Sequence, residues 1–182
     1  VDKTREKKLK AFQDKIASLS FLDPACGSGN FLTETYLALR RLENDVLRSI
    51  SAQMTLGGVI DPIKVSIDHF YGIEINDFAV TVAKTALWIA ESQMMKQTED
   101  IIHSDLNFLP LTTNAYIVEG NALRMNWESV VPKHELNYIM GNPPFVGQTY
   151  RSEEQARDIK AVFSGNQKAG KLDYVAAWYK IA

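Results

Sequence analysis

Apolar positions along the chain follow two rhythms that alternate. In the charge-rich residues 2–18, Leu9, Phe12, Ile16 and Leu19 recur at helical spacing, which predicts a surface helix. Ser20-Phe21-Leu22 is a short apolar run entering a glycine-rich turn, and it reads as a buried strand. From Phe31 to about Met54 the apolar residues Leu32, Tyr36, Leu39, Leu42, Val46, Leu47 and Ile50 keep a helical period. Gly57-Gly58 and Asp61-Pro62 punctuate a loop. His69 to Ile75 reads as a second strand, and Asn76 or Asp77 is placed to cap a helix running to about Met95. Residues 96–114 are polar and predict a loop with one short turn. Tyr116-Ile117-Val118 is a third strand ending at Glu119-Gly120-Asn121, and Tyr138-Ile139-Met140 is a fourth. Residues 147–170 are polar and contain glycine, so a mobile connection is expected there. A last helix begins near Leu172, with Tyr174, Val175, Trp178 and Ile181 on one face.

Strands that alternate with helices predict an α/β fold with a parallel sheet. In such sheets ligands sit beyond the carboxyl ends of the strands. The unusual residues of this chain fall at those ends: Asp23 to Asn30, Glu74, Asn121, and Asn142 to Phe145. A length of 182 residues is enough for one domain with a hydrophobic core. The formal net charge of −2 gives no overall basic footprint. A grip on nucleic acid must therefore be local or lie outside this chain. No apolar run approaches the roughly 20 residues that cross a bilayer. With no signal peptide and one cysteine, Cys26, a reducing, cytoplasmic setting is expected. Val1 and Ala182 read as the ends of a piece cut from a longer protein.

The turn after the first strand is Asp23-Pro24-Ala25-Cys26-Gly27-Ser28-Gly29-Asn30-Phe31. Its glycines let backbone approach a ligand, and the helix behind it offers free N–H groups. A tight strand-to-helix turn would need no ligand to explain it. Asp23 changes the chemistry, because a carboxylate there repels a pyrophosphate and attracts an ammonium or sulfonium centre. Glu74 at the end of the second strand can accept both ribose hydroxyls of a nucleoside, or serve as a capping carboxylate. Asn121 is placed to pair with an adenine edge, or to be an ordinary turn residue. Asn142-Pro143-Pro144-Phe145 offers an amide acceptor, a rigid double proline and an aromatic face at a strand tip. Such parts suit a flat ring gripped by its exocyclic amine. No cysteine follows Pro143, which argues against attack on cytosine C6. No cluster of His, Cys and Asp suggests a metal. Asp173 is placed either to touch a cofactor or to cap the last helix.

These residues resemble the motifs of S-adenosylmethionine-dependent DNA adenine N6-methyltransferases. Asp23 to Phe31 resembles motif I, Tyr71-Gly72-Ile73-Glu74 motif II, and Gly120-Asn121-Ala122 motif III. Asn142 to Phe145 looks like motif IV, and Leu172-Asp173-Tyr174-Val175 with Trp178-Tyr179 like motif V. The order is the gamma arrangement. The surrounding wording is similar to single-chain type IIG/IIL restriction-modification enzymes. The resemblance implies a Rossmann-like class I methyltransferase fold, incomplete in this piece, with residues 1–19 a helical segment and 20–182 the catalytic domain. It implies S-adenosyl-L-methionine held by Asp23, Pro24, Ala25, Gly27, Gly29, Asn30, Phe31, Glu74, Ile75, Asn121, Ala122 and Asn142. It implies catalysis by Asn142, Pro143, Pro144 and Phe145 on adenine flipped from double-stranded DNA. The amide oxygen of Asn142 and the carbonyl of Pro143 would accept the two N6 hydrogens, and Phe145 would stack on the ring. Methylation of RNA or of protein glutamine, or a cofactor-binding piece without activity, are the rival readings.

Overall fold

In a computed structural model of the chain, four strands lie side by side and all run parallel. The structure describes residues 3–51, 62–103, 106, 114–164 and 166–182. The strands are β1 (Phe21–Asp23), β2 (Phe70–Glu74), β3 (Tyr116–Glu119) and β4 (Tyr138–Ile139), in the spatial order β3-β2-β1-β4. The order runs one way from β1 to β3 and the other way to β4. The reversal between β1 and β4 is a topological switch point, where α/β sheets open a crevice for ligands.

Alternate side chains of a strand go to opposite faces, and two cores result. Phe21, Phe70 and Ile117 pack with Leu32, Tyr36, Leu87 and Met94 on one side. Those last four come from α2 (Asn30–Ser51) and α3 (Asp77–Ile102). Leu22 and Ile73 face the other way and meet Trp127, Ile159, Tyr174 and Trp178. That second layer holds α4 (Glu153–Val162) and α5 (Ala176–Ile181). The first helix, α1 (Lys3–Ala17), buries only Gln13 and Ile16. The expected alternation of strands and helices is therefore present, with helices on both faces.

Three expectations need correction. The helix after β2 continues to Ile102 rather than ending near Met95. Its last turns are polar, yet Thr98 is fully buried: its hydroxyl accepts from Arg40 at 2.8 Å and donates to Asn44 Oδ1 at 2.8 Å. Polarity here marks a buried network and not a loop. Residues 147–170 contain α4, closed at its start by a reciprocal capping box between Ser152 and Gln155. The last segment is a 3-10 turn, Gln167–Lys171, followed by α5, so helix begins at Ala176 and not near Leu172. The predicted helix end at 52–54 and the Gly57-Gly58 and Asp61 loop positions lie outside the described residues. Asn76 is the N-cap of α3, with its side chain accepting from Ala79 N–H at 3.0 Å.

Behind the first core, Glu43 and Arg40 form an ion pair with no exposed side-chain surface. Glu43 Oε1 also accepts from Gln13 Nε2 at 2.8 Å and from the Lys64 N–H at 2.7 Å. The pair thus ties α1, α2 and the approach to β2 together. Among the described residues no helix is long and apolar enough to cross a membrane.

Candidate active site

At the switch point, the last residue of β1 carries the most perturbed carboxylate of the site. Asp23 is 1% exposed. Its Oδ1 accepts from the Ala25 N–H at 3.0 Å, and its Oδ2 is buried without a hydrogen-bond partner among the described residues. Burial pushes its carboxyl up to about 6; the bond from Ala25 opposes that and the charge of Glu74 adds to it. Gly29 has a φ of +81°, and a side chain there would strike Ala83 of α3, so this position requires glycine.

Glu74 holds the next loop to this turn. Its Oε2 accepts from the Gly27 N–H at 2.8 Å and its Oε1 from the Asn76 N–H at 3.0 Å. A carboxylate has about four lone-pair sites, so acceptor capacity remains for a ligand. Asn121 is more committed. Its amide donates to Asp158 Oδ2 at 3.0 Å, and its oxygen accepts from the Leu123 N–H at 2.9 Å. One N–H and one lone pair are left on that side chain.

A cleft of about 330 Å³ opens between these loops. Pro24, Ala25, Glu74, Ile75, Asn121, Ala122 and Pro144 line it. Asp23, Gly27, Gly29 and Asn30 build the turn behind the wall without lining it. Phe31 stands in the first turn of α2, half exposed. Asn142, Pro143 and Phe145 also lie off the wall, on the loop after β4, and Phe145 is 69% exposed. The exposed positions leave the Asn142 amide and the Phe145 ring accessible to an incoming group.

The two loops touch. Gly141 has a φ of +147°, and a Cβ there would lie 2.4 Å from Asp23 Oδ1. Only glycine lets the loop after β4 start against the Asp23 carboxylate. Four further wall residues, Ser152, Glu154, Gln155 and Asp158, come from α4 and its cap; Tyr174 and Trp178 complete that side. Trp178 Nε1 donates to the Pro24 carbonyl at 3.1 Å, anchoring α5 to the first turn. Sequence reasoning missed the α4 residues. The signal that announces them is Ser152-Glu153-Glu154-Gln155, a capping-box pattern.

The whole chain, residues 1–182, matches the family described as "MmeI, DNA-methyltransferase domain". The chain belongs to the MmeI DNA-methyltransferase domain family. Among relatives of this MmeI-type domain, "DNA methyltransferase A" of Bacillus subtilis (strain 168) is 42% identical over 176 residues. That match takes in 94% of this chain and 20% of the Bacillus protein. Among solved structures, the type IIL restriction-modification enzyme MmeI in complex with DNA superposes with a TM-score of 0.90 at 39% identity. It covers 97% of this chain and 24% of the MmeI chain. The MmeI-type domain thus spans about a quarter or less of these proteins. The expected methyltransferase fold and the restriction-modification kinship stand on these matches together with the parallel sheet.

Proposed function

We propose that this chain is the catalytic domain of a DNA adenine N6-methyltransferase that uses S-adenosyl-L-methionine, within a restriction-modification protein acting on double-stranded DNA. The observation that carries the reading is the contact of Gly141 with Asp23. It sets a loop suited to a planar amine beside a turn suited to a cationic donor. The donor set fits the cofactor. The buried, unpartnered Asp23 Oδ2 favours a positive ligand, and Glu74 keeps acceptor sites for ribose hydroxyls. Ile75, 67% exposed on the cleft wall, offers an apolar face to a purine.

The cofactor would supply an electrophilic methyl group on a sulfonium centre. The chain's own task is to present a nucleophile. An adenine N6 lone pair is delocalised into the ring and attacks poorly. Two acceptors, Asn142 Oδ1 and the Pro143 carbonyl, would accept hydrogen bonds from its two N–H groups and favour the pyramidal nitrogen; as the N–C bond forms and the methyl group's bond to sulfur breaks, one of those protons would leave to solvent. Prolines on a strand tip hold these acceptors fixed, which is orientation and preorganised electrostatics in place of a strong base. Phe145 stacks on the extruded ring. The test is transfer of a tritiated methyl group from S-adenosylmethionine to duplex DNA, followed by digestion to nucleosides. Label in N6-methyladenine is expected. Label in N4-methylcytosine, RNA or protein glutamine, with none in N6-methyladenine, overturns the substrate.

Cofactor affinity should depend on pH through Asp23. Burial pushes its carboxyl up to about 6. The cofactor's α-amino group stays protonated to about 7.7–8.0. Below pH 6 Asp23 is neutral and the attraction is lost, so binding at pH 5 should be about tenfold weaker than at pH 7. The ligand-free protein behaves oppositely. A folded carboxyl raised from 3.8 to about 6 binds more protons than the unfolded one. Stability therefore falls with rising pH across that window. Calorimetric titration at three pH values decides it, and a flat affinity profile removes Asp23 from the cofactor site.

A further inference from the structure

Asp158 of α4 is 4% exposed and sits where three segments meet. Its Oδ2 accepts from Asn121 Nδ2 at 3.0 Å and from the Tyr174 hydroxyl at 3.1 Å. Its Oδ1 accepts from Arg124 Nε at 2.6 Å. Burial alone would raise its carboxyl; the hydrogen bonds from Arg124, Asn121 and Tyr174 together hold it below its ordinary range. From Tyr174 the bonding continues to the loop after β4. The Tyr174 N–H donates to the Val146 carbonyl at 3.0 Å, and the Val146 N–H donates to Asp173 Oδ1 at 3.0 Å. Val146 directly follows Phe145. Hydrogen bonds at the two ends of Tyr174 thus link the wall of the cleft to the loop that bears Asn142.

Apolar packing of Ile159 with Tyr174 and Trp178 also holds α4 on the sheet. A carboxylate at that depth is costly unless fully satisfied, so its contribution is direction and not adhesion. Charge-assisted bonds are short and angular, and methyl transfer is sensitive to placement at the scale of 1 Å. We propose that Asp158 is a positioning residue for methyl transfer, fixing the cofactor wall through Asn121 and Arg124 and the base-gripping loop through Tyr174. The proposal rests on the cofactor and base sites assigned above.

Two single-atom-scale variants separate its arms. Tyr174→Phe removes the hydroxyl bond and keeps the ring in its packing. Asp158→Asn keeps the shape, weakens the bonds at the oxygen that remains and removes those at the position that becomes NH2. Cofactor affinity is read by calorimetry, and the single-turnover transfer rate at saturating cofactor and DNA is read per folded molecule. For Tyr174→Phe the rate at saturating cofactor should fall about tenfold, a larger loss than in cofactor affinity. For Asp158→Asn the rate should fall and cofactor affinity should weaken, each by about tenfold or more. Tyr174→Phe transferring at the wild-type rate overturns the proposal. So does Asp158→Asn that lowers the melting temperature with both kinetic readouts unmoved. A wild type that methylates another substrate overturns the DNA assignment alone, and the same two ratios are then read on that substrate. A wild type with no transfer to any acceptor overturns both readings.

Discussion

Asn142→Ala should lower the single-turnover methyl-transfer rate by about a thousandfold, the loss seen when one preorganised electrostatic group is removed from a reacting centre. S-adenosylmethionine binding should survive, because Asn142 is exposed on the loop after β4 and its proposed task is to hold the acceptor amine. The size of the effect follows from what the amide is asked to do. A delocalised amine gains nucleophilicity only while its hydrogens are held by acceptors at fixed positions. Alanine offers none, and water in its place is mobile and must reorganise. Asn142→Asp keeps an acceptor oxygen and should retain more activity than alanine. A rate within tenfold of wild type in Asn142→Ala would move the catalytic role elsewhere. Loss of cofactor binding would instead make Asn142 a part of the cofactor wall.

Glu43→Ala should destabilise the fold by about 3–5 kcal/mol, the usual cost of leaving one member of a buried ion pair alone. The removal strands more than Arg40. Gln13 Nε2 loses one of its two acceptors, the other being the Pro62 carbonyl, and the Lys64 N–H loses its partner. Each buried donor left unpaired adds its own desolvation penalty. Glu43→Gln keeps an acceptor and should lose less. The exposed pair Lys10–Glu6 sets the contrast, since it is solvated on both sides and its removal should leave the unfolding midpoint where it was. Urea denaturation of the three variants measures this. A Glu43→Ala midpoint equal to wild type would show that the network is ornamental.

How much of this was legible in the sequence differs from element to element. The strands were visible because each is an apolar run ending in a polar or glycine residue, and the sheet's parallel sense followed from the helices between them. The cofactor-type turn was visible because Gly27 and Gly29 flank a single position after a carboxylate. The polar interior was not visible. Arg40, Glu43, Thr98 and Asp158 look like solvated faces: an Arg40–Glu43 pair at i,i+3 is an ordinary surface pattern, and the partners that bury these residues are far along the chain, Thr98 58 residues from Arg40 and Asp158 37 from Asn121. The same blindness applied to Asn121. A turn asparagine after a strand gives no sign that a later helix will occupy half of its amide. The helix carrying Asp158 was hidden by its own charge, although its capping box was in plain view.

The place of β4 beside β1 also has a consequence for how the molecule comes into being. Ser20 and Asn137, which hydrogen-bond beside that strand pair, are 117 residues apart in the chain. Loop entropy of that size grows only slowly with length, but distant pairings slow the search for them. During synthesis the floor of the cleft, made from the ends of β1, β2 and β3, emerges well before the strand that brings Asn142. The docking of the two-residue strand β4 is the event that sets the loop of Asn142 beside the turn of Asp23.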